Sequence, residues 1–210
     1  MKNPRQSPYR KKRGRIVILS GPSGSGKTTL HKKLLLSRRL KGKLVKSVSL
    51  TTRFRRPGEK NGRDYLFVSK KDFFRKRRQG HFLEWKKVFD NYYGTPQKAV
   101  GQLLNQGRSV LLCIDVKGAK TVLSRHKNTF SIFVKAPSLA VLKERLKKRG
   151  SETKTNLALR LKIAREELKE ARRYNKIVIN DRLNQTVKKL ESVIYRELTK
   201  EKKKHVLSTD

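Results

Sequence analysis

The sequence predicts an α/β fold: a central parallel sheet covered by helices on both sides. Three observations predict its core. An apolar run, Ile16 to Leu19, leads into Gly21-Pro22-Ser23-Gly24-Ser25-Gly26-Lys27-Thr28, and a helix-like segment follows with Leu30, Leu34 and Leu35 on one side. Strand-length apolar runs then alternate with stretches of helical periodicity, the pattern of a parallel sheet. Val110 to Ile114 is continuously apolar, as expected of a strand buried on both faces.

Residues 1–14 contain Pro4, Pro8 and the run Arg10-Lys11-Lys12-Arg13, and read as a basic disordered tail. Ile16 to Ser20 reads as a buried strand and Thr28 to Leu36 as the first helix. Lys41-Gly42-Lys43 turns the chain, and Val45 to Leu50 reads as a second strand. Pro57-Gly58 and Asn61-Gly62 mark turns around a basic, polar segment. Tyr65 to Val68 is a short strand. Ser69 and Asp72 have the spacing of a capping box, opening a helix that stops at Gly80. Phe82 to Trp85 is extended, Asn91 to Gly94 reads as a hydroxyl-rich turn, and Pro96 opens a helix with Val100, Leu103 and Leu104 on its apolar face. Val110 to Ile114 delivers Asp115 at a strand's carboxyl end, where open α/β sheets bind ligands. Ser131 to Val134 is a strand. Ser138 caps a helix with Leu139, Leu142 and Leu146 along one side, closed by Gly150. Leu157, Leu161, Ala164 and Leu168 mark another helix. Ile177 to Ile179 is the last strand, and Val187, Leu190, Ile194 and Leu198 give one face of the last helix. Residues 199–210 read as a basic tail, leaving 15–198 as one folded unit.

Composition narrows the function classes. The chain of 210 residues carries 56 Lys and Arg against 16 Asp and Glu, a net charge of +40, and no acidic residue precedes Glu59. Such a field favours phosphates, nucleotides and RNA. It also makes a carboxylate at an expected position far more informative than a lysine. No apolar run reaches the roughly 18 residues of a membrane helix, and the basic N-terminus lacks the apolar segment of a secretory signal. One cysteine, Cys113, excludes an internal disulfide and suits a reducing cytoplasm. The four histidines show no metal-ligand spacing.

The glycine-rich stretch carries the clearest chemistry. Gly, four residues, then Gly-Lys-Thr between a strand and a helix is a phosphate-binding loop. Its backbone N–H groups turn inward onto phosphate oxygens, and the helix dipole points at the same anion. Lys27 reaches a nucleotide's terminal phosphates, and the Thr28 hydroxyl is a ligand for Mg²⁺. The fold is therefore the three-layer one of P-loop NTPases. Downstream, Arg53 and Arg56 are spaced to converge on a second phosphate, with phenolic hydrogen bonds from Tyr65 and Tyr93. Glu84 can accept paired hydrogen bonds from an N–H/NH₂ edge, which guanine presents and adenine does not. Ser49 and Thr95 are candidates for finer base contacts.

From about Arg15 to Leu198 the chain resembles the guanylate kinase family. The resemblance is carried by Gly21 to Thr28, Ser49-Leu50-Thr51-Thr52-Arg53, Arg56-Pro57-Gly58-Glu59, Glu84-Trp85, Asn91-Tyr92-Tyr93-Gly94, Ile114-Asp115 with Gly118, Arg145, Arg149-Gly150, Arg160 and Asn180-Asp181. It implies phosphoryl transfer from ATP to GMP or dGMP with Mg²⁺, and three moving parts: a core, a GMP-binding segment near 48–98 and a lid near 139–170. By resemblance, the loop with Thr29, Asn180 and Asp181 holds ATP. Arg53, Arg56, Tyr65 and Tyr93 hold the GMP phosphate, Ser49, Glu84 and Thr95 read the base, and Gly94 is a further GMP-binding position. Asp115 lies beside GMP and, with Thr28, serves the metal. Arg145, Arg149 and Arg160 come from the lid region and neutralise the transferring group, completing with Lys27 and Arg53 the catalytic set.

Two positions depart from that family. Cys113 stands where an acid is usual and Lys117 where Gln is frequent; both fall beside the substrate base, and Cys113, within an apolar strand, reads as buried and inert. The resemblance implies weakened guanine selection rather than lost transfer. The competing reading is a module of the same fold that binds phosphopeptides or nucleic acid without turnover. The basic tails could add contacts to nucleic acid, and the sequence gives no oligomeric state.

Overall fold

A computed structural model describes residues 13–88, 90–148 and 154–206. Five parallel strands form the central sheet in the order β2-β7-β1-β8-β9: β1 (Ile16–Ser20), β2 (Leu44–Lys46), β7 (Ser109–Cys113), β8 (Thr129–Lys135) and β9 (Lys176–Ile179). β1 is central and fully buried. Its alternate side chains serve two cores. Val17 and Leu19 pack with Leu30 and Leu34 of α1 (Lys27–Leu35) and with Leu190 and Ile194 of α7 (Leu183–Val206). Ile16 and Ile18 face the other way, onto Val100 and Leu104 of α3 (Gln97–Asn105) and Ala119 and Val122 of α4 (Val116–Arg125). The period-two pattern of one strand thus fixes the three layers.

A second sheet of four strands stands beside the first, in the order β4-β3-β6-β5. Its strands are β3 (Leu50–Thr51), β4 (Leu66–Phe67), β5 (Phe82–Val88) and β6 (Asn91–Pro96). Helix α2 (Lys70–Arg78) closes its back through Phe73, stacked on Phe82 at 4.6 Å. Ser69 caps α2, accepting from the Asp72 amide at 3.0 Å and donating to the Asp72 carboxylate at 2.7 Å. Helices α5 (Leu139–Lys147) and α6 (Lys154–Lys169) pack through Leu142, Leu146 and Ala164.

Five points of the sequence reading are corrected. Val45 to Leu50 is not one strand: the chain leaves the central sheet after Lys46 and enters the second sheet at Leu50. Asn91 to Gly94 is strand rather than turn, paired antiparallel with β5. Helix α4 had no counterpart in the sequence reading; Asp115 caps it, its Oδ1 accepting from the Gly118 amide at 2.8 Å. Helix α7 continues to Val206, past Leu198 and into the stretch read as a tail. Leu139, placed on the apolar side of its helix, is instead 40% exposed. Residues 1–12 and Gly150 lie outside the described residues. Among the described residues no helix is long and apolar enough to cross a membrane.

Candidate active site

The carboxyl ends of β1 and β7 open into a cleft of about 610 Å³ between the central sheet, the second sheet and α6. One wall is the loop after β1. Gly26 has φ +89°, and a Cβ there would lie 2.2 Å from Asn180 Nδ2, so only glycine fits. Asn180 is buried and its amide donates to the Ser25 carbonyl at 2.9 Å, pinning the loop to the end of β9. The Lys27 ammonium donates to the carbonyls of Gly21 and Pro22 at 2.6 and 2.7 Å. Burial pulls its pKa down to about 8. The Thr28 hydroxyl residue is exposed at the cleft.

The opposite wall comes from the second sheet. Glu84 is 5% exposed and Thr95 is 1% exposed. They face each other across β5 and β6, and the Thr95 hydroxyl donates to Glu84 Oε1 at 2.6 Å. Glu84 Oε2 is buried with no hydrogen-bond partner among the described residues. Burial raises the Glu84 pKa, opposed by the Thr95 bond. Tyr65 and Tyr93 meet edge-on at 6.0 Å, and the Arg53 guanidinium lies 5.5 Å over the Tyr65 ring. Glu59 orients Arg53 through two bonds of 2.8 and 3.0 Å.

The family profile described as guanylate kinase matches residues 13–197. A guanylate kinase from Rickettsia felis is 41% identical over 190 residues, covering 90% of this chain and 97% of that protein. One from Clostridium tetani is 42% identical over 185 residues, covering 88% and 87%. This chain belongs to the guanylate kinase family. The crystal structure of guanylate kinase from Anaplasma phagocytophilum superposes with a TM-score of 0.71 at 34% identity, covering 90% of this chain and 88% of that one.

One cleft gathers Gly21, Ser23, Gly24, Gly26, Lys27 and Thr28 with Ser49, Tyr65, Glu84, Tyr93, Gly94, Asp115 and Arg160. Arg160 reaches the phosphate loop from α6, its Nη1 at 3.5 Å from Ser23 Oγ. Other expected residues, Arg53 among them, stand back from the cleft lining. Thr95 lies behind Glu84, and Asn180 and Ser25 support the loop from below. Pro22 lines a smaller hollow beside Leu142. Thr29, Arg56 and Asp181 are exposed away from the cleft. Arg145 Nη1 is buried with no hydrogen-bond partner among the described residues, outside the cleft lining. Arg149 lies outside the described residues.

Cys113 is not fully enclosed in the core: it is half-buried and lines the cleft. Burial raises its pKa. Two charged residues of the cleft went unremarked in the sequence, Lys86 and Glu167. Lys86 pairs with Asp115 at 3.2 Å. Glu167 sits on α6, and burial raises its pKa. Nothing in the sequence distinguished Lys86 from the other basic residues, whereas Glu167, in an acid-poor chain, was a missed signal.

Proposed function

We propose that the cleft transfers the γ-phosphoryl group of ATP to GMP, or to dGMP, giving ADP and GDP. Family membership supports the reaction class, and Glu84 is the observation that carries the acceptor. Glu84 lines the cleft with one buried carboxylate oxygen that has no protein partner among the described residues, while Thr95 fixes the other. Guanine's N1–H and N2–H₂ donate side by side to such a group, whereas adenine offers one donor beside an acceptor there. A site built to receive hydrogen bonds rejects a base that cannot make them, because its buried oxygen stays unpaired.

The chemistry then asks for position and positive charge more than for proton transfer. The acceptor's phosphate oxygen is already anionic and attacks the γ-phosphorus. The bond from the γ-phosphorus to the β,γ-bridging oxygen breaks, and ADP leaves with that oxygen. Lys27 and the α1 dipole stabilise the donor's phosphates. Arg53, oriented by Glu59, meets the acceptor's phosphate, and Arg160 brings a third cation from α6.

The residues fit a magnesium ion. Thr28 offers an exposed hydroxyl, Asp115 stands nearby at the strand end, and among the described residues no three His, Cys, Asp or Glu side chains form a cage. Mg²⁺ suits such sparse protein ligation because it takes nucleotide phosphates and water. When bound it supplies charge to the phosphate oxygens. A cytoplasmic setting belongs to the same proposal.

The test is a coupled assay of ADP release against GMP, dGMP, IMP, AMP, CMP and UMP. GMP and dGMP should turn over best. Equal rates with AMP and GMP would remove Glu84 as the selector.

A further inference from the structure

We propose that Lys86 is a phosphate-contacting residue of the cleft, a cation that leaves Asp115 to grip the acceptor's phosphoryl oxygens during transfer. This rests on the acceptor reading above and deepens it.

The placement follows from strand pairing. On β5 and β6, Glu84 stands opposite Thr95 and Lys86 stands opposite Tyr93. Residues two apart on a strand share a face, and directly opposed residues stand side by side. The four side chains are therefore two rungs on one face. The first rung is the base-reading pair, closed by its 2.6 Å hydrogen bond. The second lies roughly 7 Å further along the strands, a step on the scale of the distance from a nucleotide's base to its phosphate. Its other member, Tyr93, packs on Tyr65, the ring beneath the Arg53 guanidinium. Lys86 is thus on the phosphate rung, and it lines the cleft.

Its present bond is a weak reason for its presence. Lys86 Nζ lies 3.2 Å from Asp115 Oδ2, with the two side chains 29% and 30% exposed. Ion pairs open to water contribute little stability. Asp115 keeps its capping bond to the Gly118 amide through its other oxygen, so releasing Lys86 does not unseat α4. Lys86 is also close enough to Lys27 for the two ammonium groups to disfavour each other. Two cations from facing walls, repelling across a cleft, are stabilised by an anion between them. A lysine has the flexible stem to follow that anion.

The experiment uses the full chain with Lys86→Met and Lys86→Arg. Calorimetry reads binding of GMP and of guanosine, which lacks the phosphate, and the coupled assay reads kcat/KM for GMP. All are compared at a temperature where every variant is folded. Lys86→Met should weaken GMP binding about 10- to 100-fold, leave guanosine binding as in the parent, and lower kcat/KM at least as much. Lys86→Arg should recover a substantial part of both. Equal losses for GMP and guanosine overturn the proposal, since Lys86 would then touch the base. Parental GMP binding and turnover in Lys86→Met also overturn it, leaving only an ion pair with Asp115. A parent that does not phosphorylate GMP overturns the acceptor reading itself, and that is read before any variant is made.

Discussion

Gly118 lets the Glu84 carboxylate rest against the first turn of α4: a Cβ at Gly118 would stand 2.7 Å from Glu84 Oε2 and 3.2 Å from Asp115 Oδ1. The oxygen that faces this glycine is the one with no protein partner. The glycine thus makes room for the group assigned to read guanine.

Gly118→Ala separates stability from recognition. Alanine is the better helix residue by about 1 kcal/mol, which offsets the cost of moving Glu84, so the melting temperature should change little. The new methyl group should displace Glu84 and raise KM for GMP roughly tenfold, the scale of one charged hydrogen bond, with KM for ATP less affected. Unchanged GMP kinetics would mean that Glu84 adjusts freely.

Lys27 gives a pH dependence with a definite sign. Its pKa in the fold is about 8, below the ordinary 10.5, because of burial. The native state therefore binds fewer protons than the unfolded chain between those values, and stability from this group rises with pH across that window. Below pH 8 the full burial penalty of the charged amine is present. Lys27→Met should accordingly melt no lower than the parent at pH 7 while losing at least about a hundredfold in kcat. In the parent, kcat/KM for ATP should fall as pH rises through about 8, as the free enzyme's amine loses its proton. A flat profile from pH 7 to 9.5 contradicts the assignment of Lys27 to the donor phosphates.

Arg53 and Glu59 should behave as a pair. Arg53→Ala should raise KM for GMP about 10- to 100-fold. Glu59→Gln keeps the side chain's shape but loses the charge that orients the guanidinium, so its effect should be smaller and in the same direction. The double variant should cost less than the sum, as interacting residues do. Additive losses would show that Glu59 acts elsewhere.

The phosphate loop, the strands of the core and most of the acceptor wall were legible in the sequence because each rests on local chemistry. Gly26 and Lys27 announce a loop by spacing, and Glu84 stands out where carboxylates are rare. The remainder depended on long-range geometry. The break between Lys46 and Leu50 leaves no mark in hydrophobicity. Asn91 to Gly94 carries turn residues, yet its pairing with β5 holds it extended. The charges of Lys200 to Lys204 resemble a solvated tail, although lysine is also a good helix former. Lys86 was invisible because lysine is everywhere in this chain; only the register opposite Tyr93 singles it out.

Cys113 tests the chain's departure from its family. It lines the cleft near Lys27 and Lys86, where a carboxylate would find positive partners. Cys113→Asp should lower KM for GMP about tenfold, the worth of one charged hydrogen bond, and sharpen the preference over IMP and AMP. Unchanged affinity and discrimination in the same panel would mean that the thiol is no handicap.

The most direct measurement is a single turnover with ATP radiolabelled on its γ-phosphate, in excess enzyme with Mg²⁺ and GMP. Two nucleotides seated end to end in one cleft should send the label into GDP, with little appearing as inorganic phosphate. Label released to water while GMP stays unphosphorylated would contradict the account.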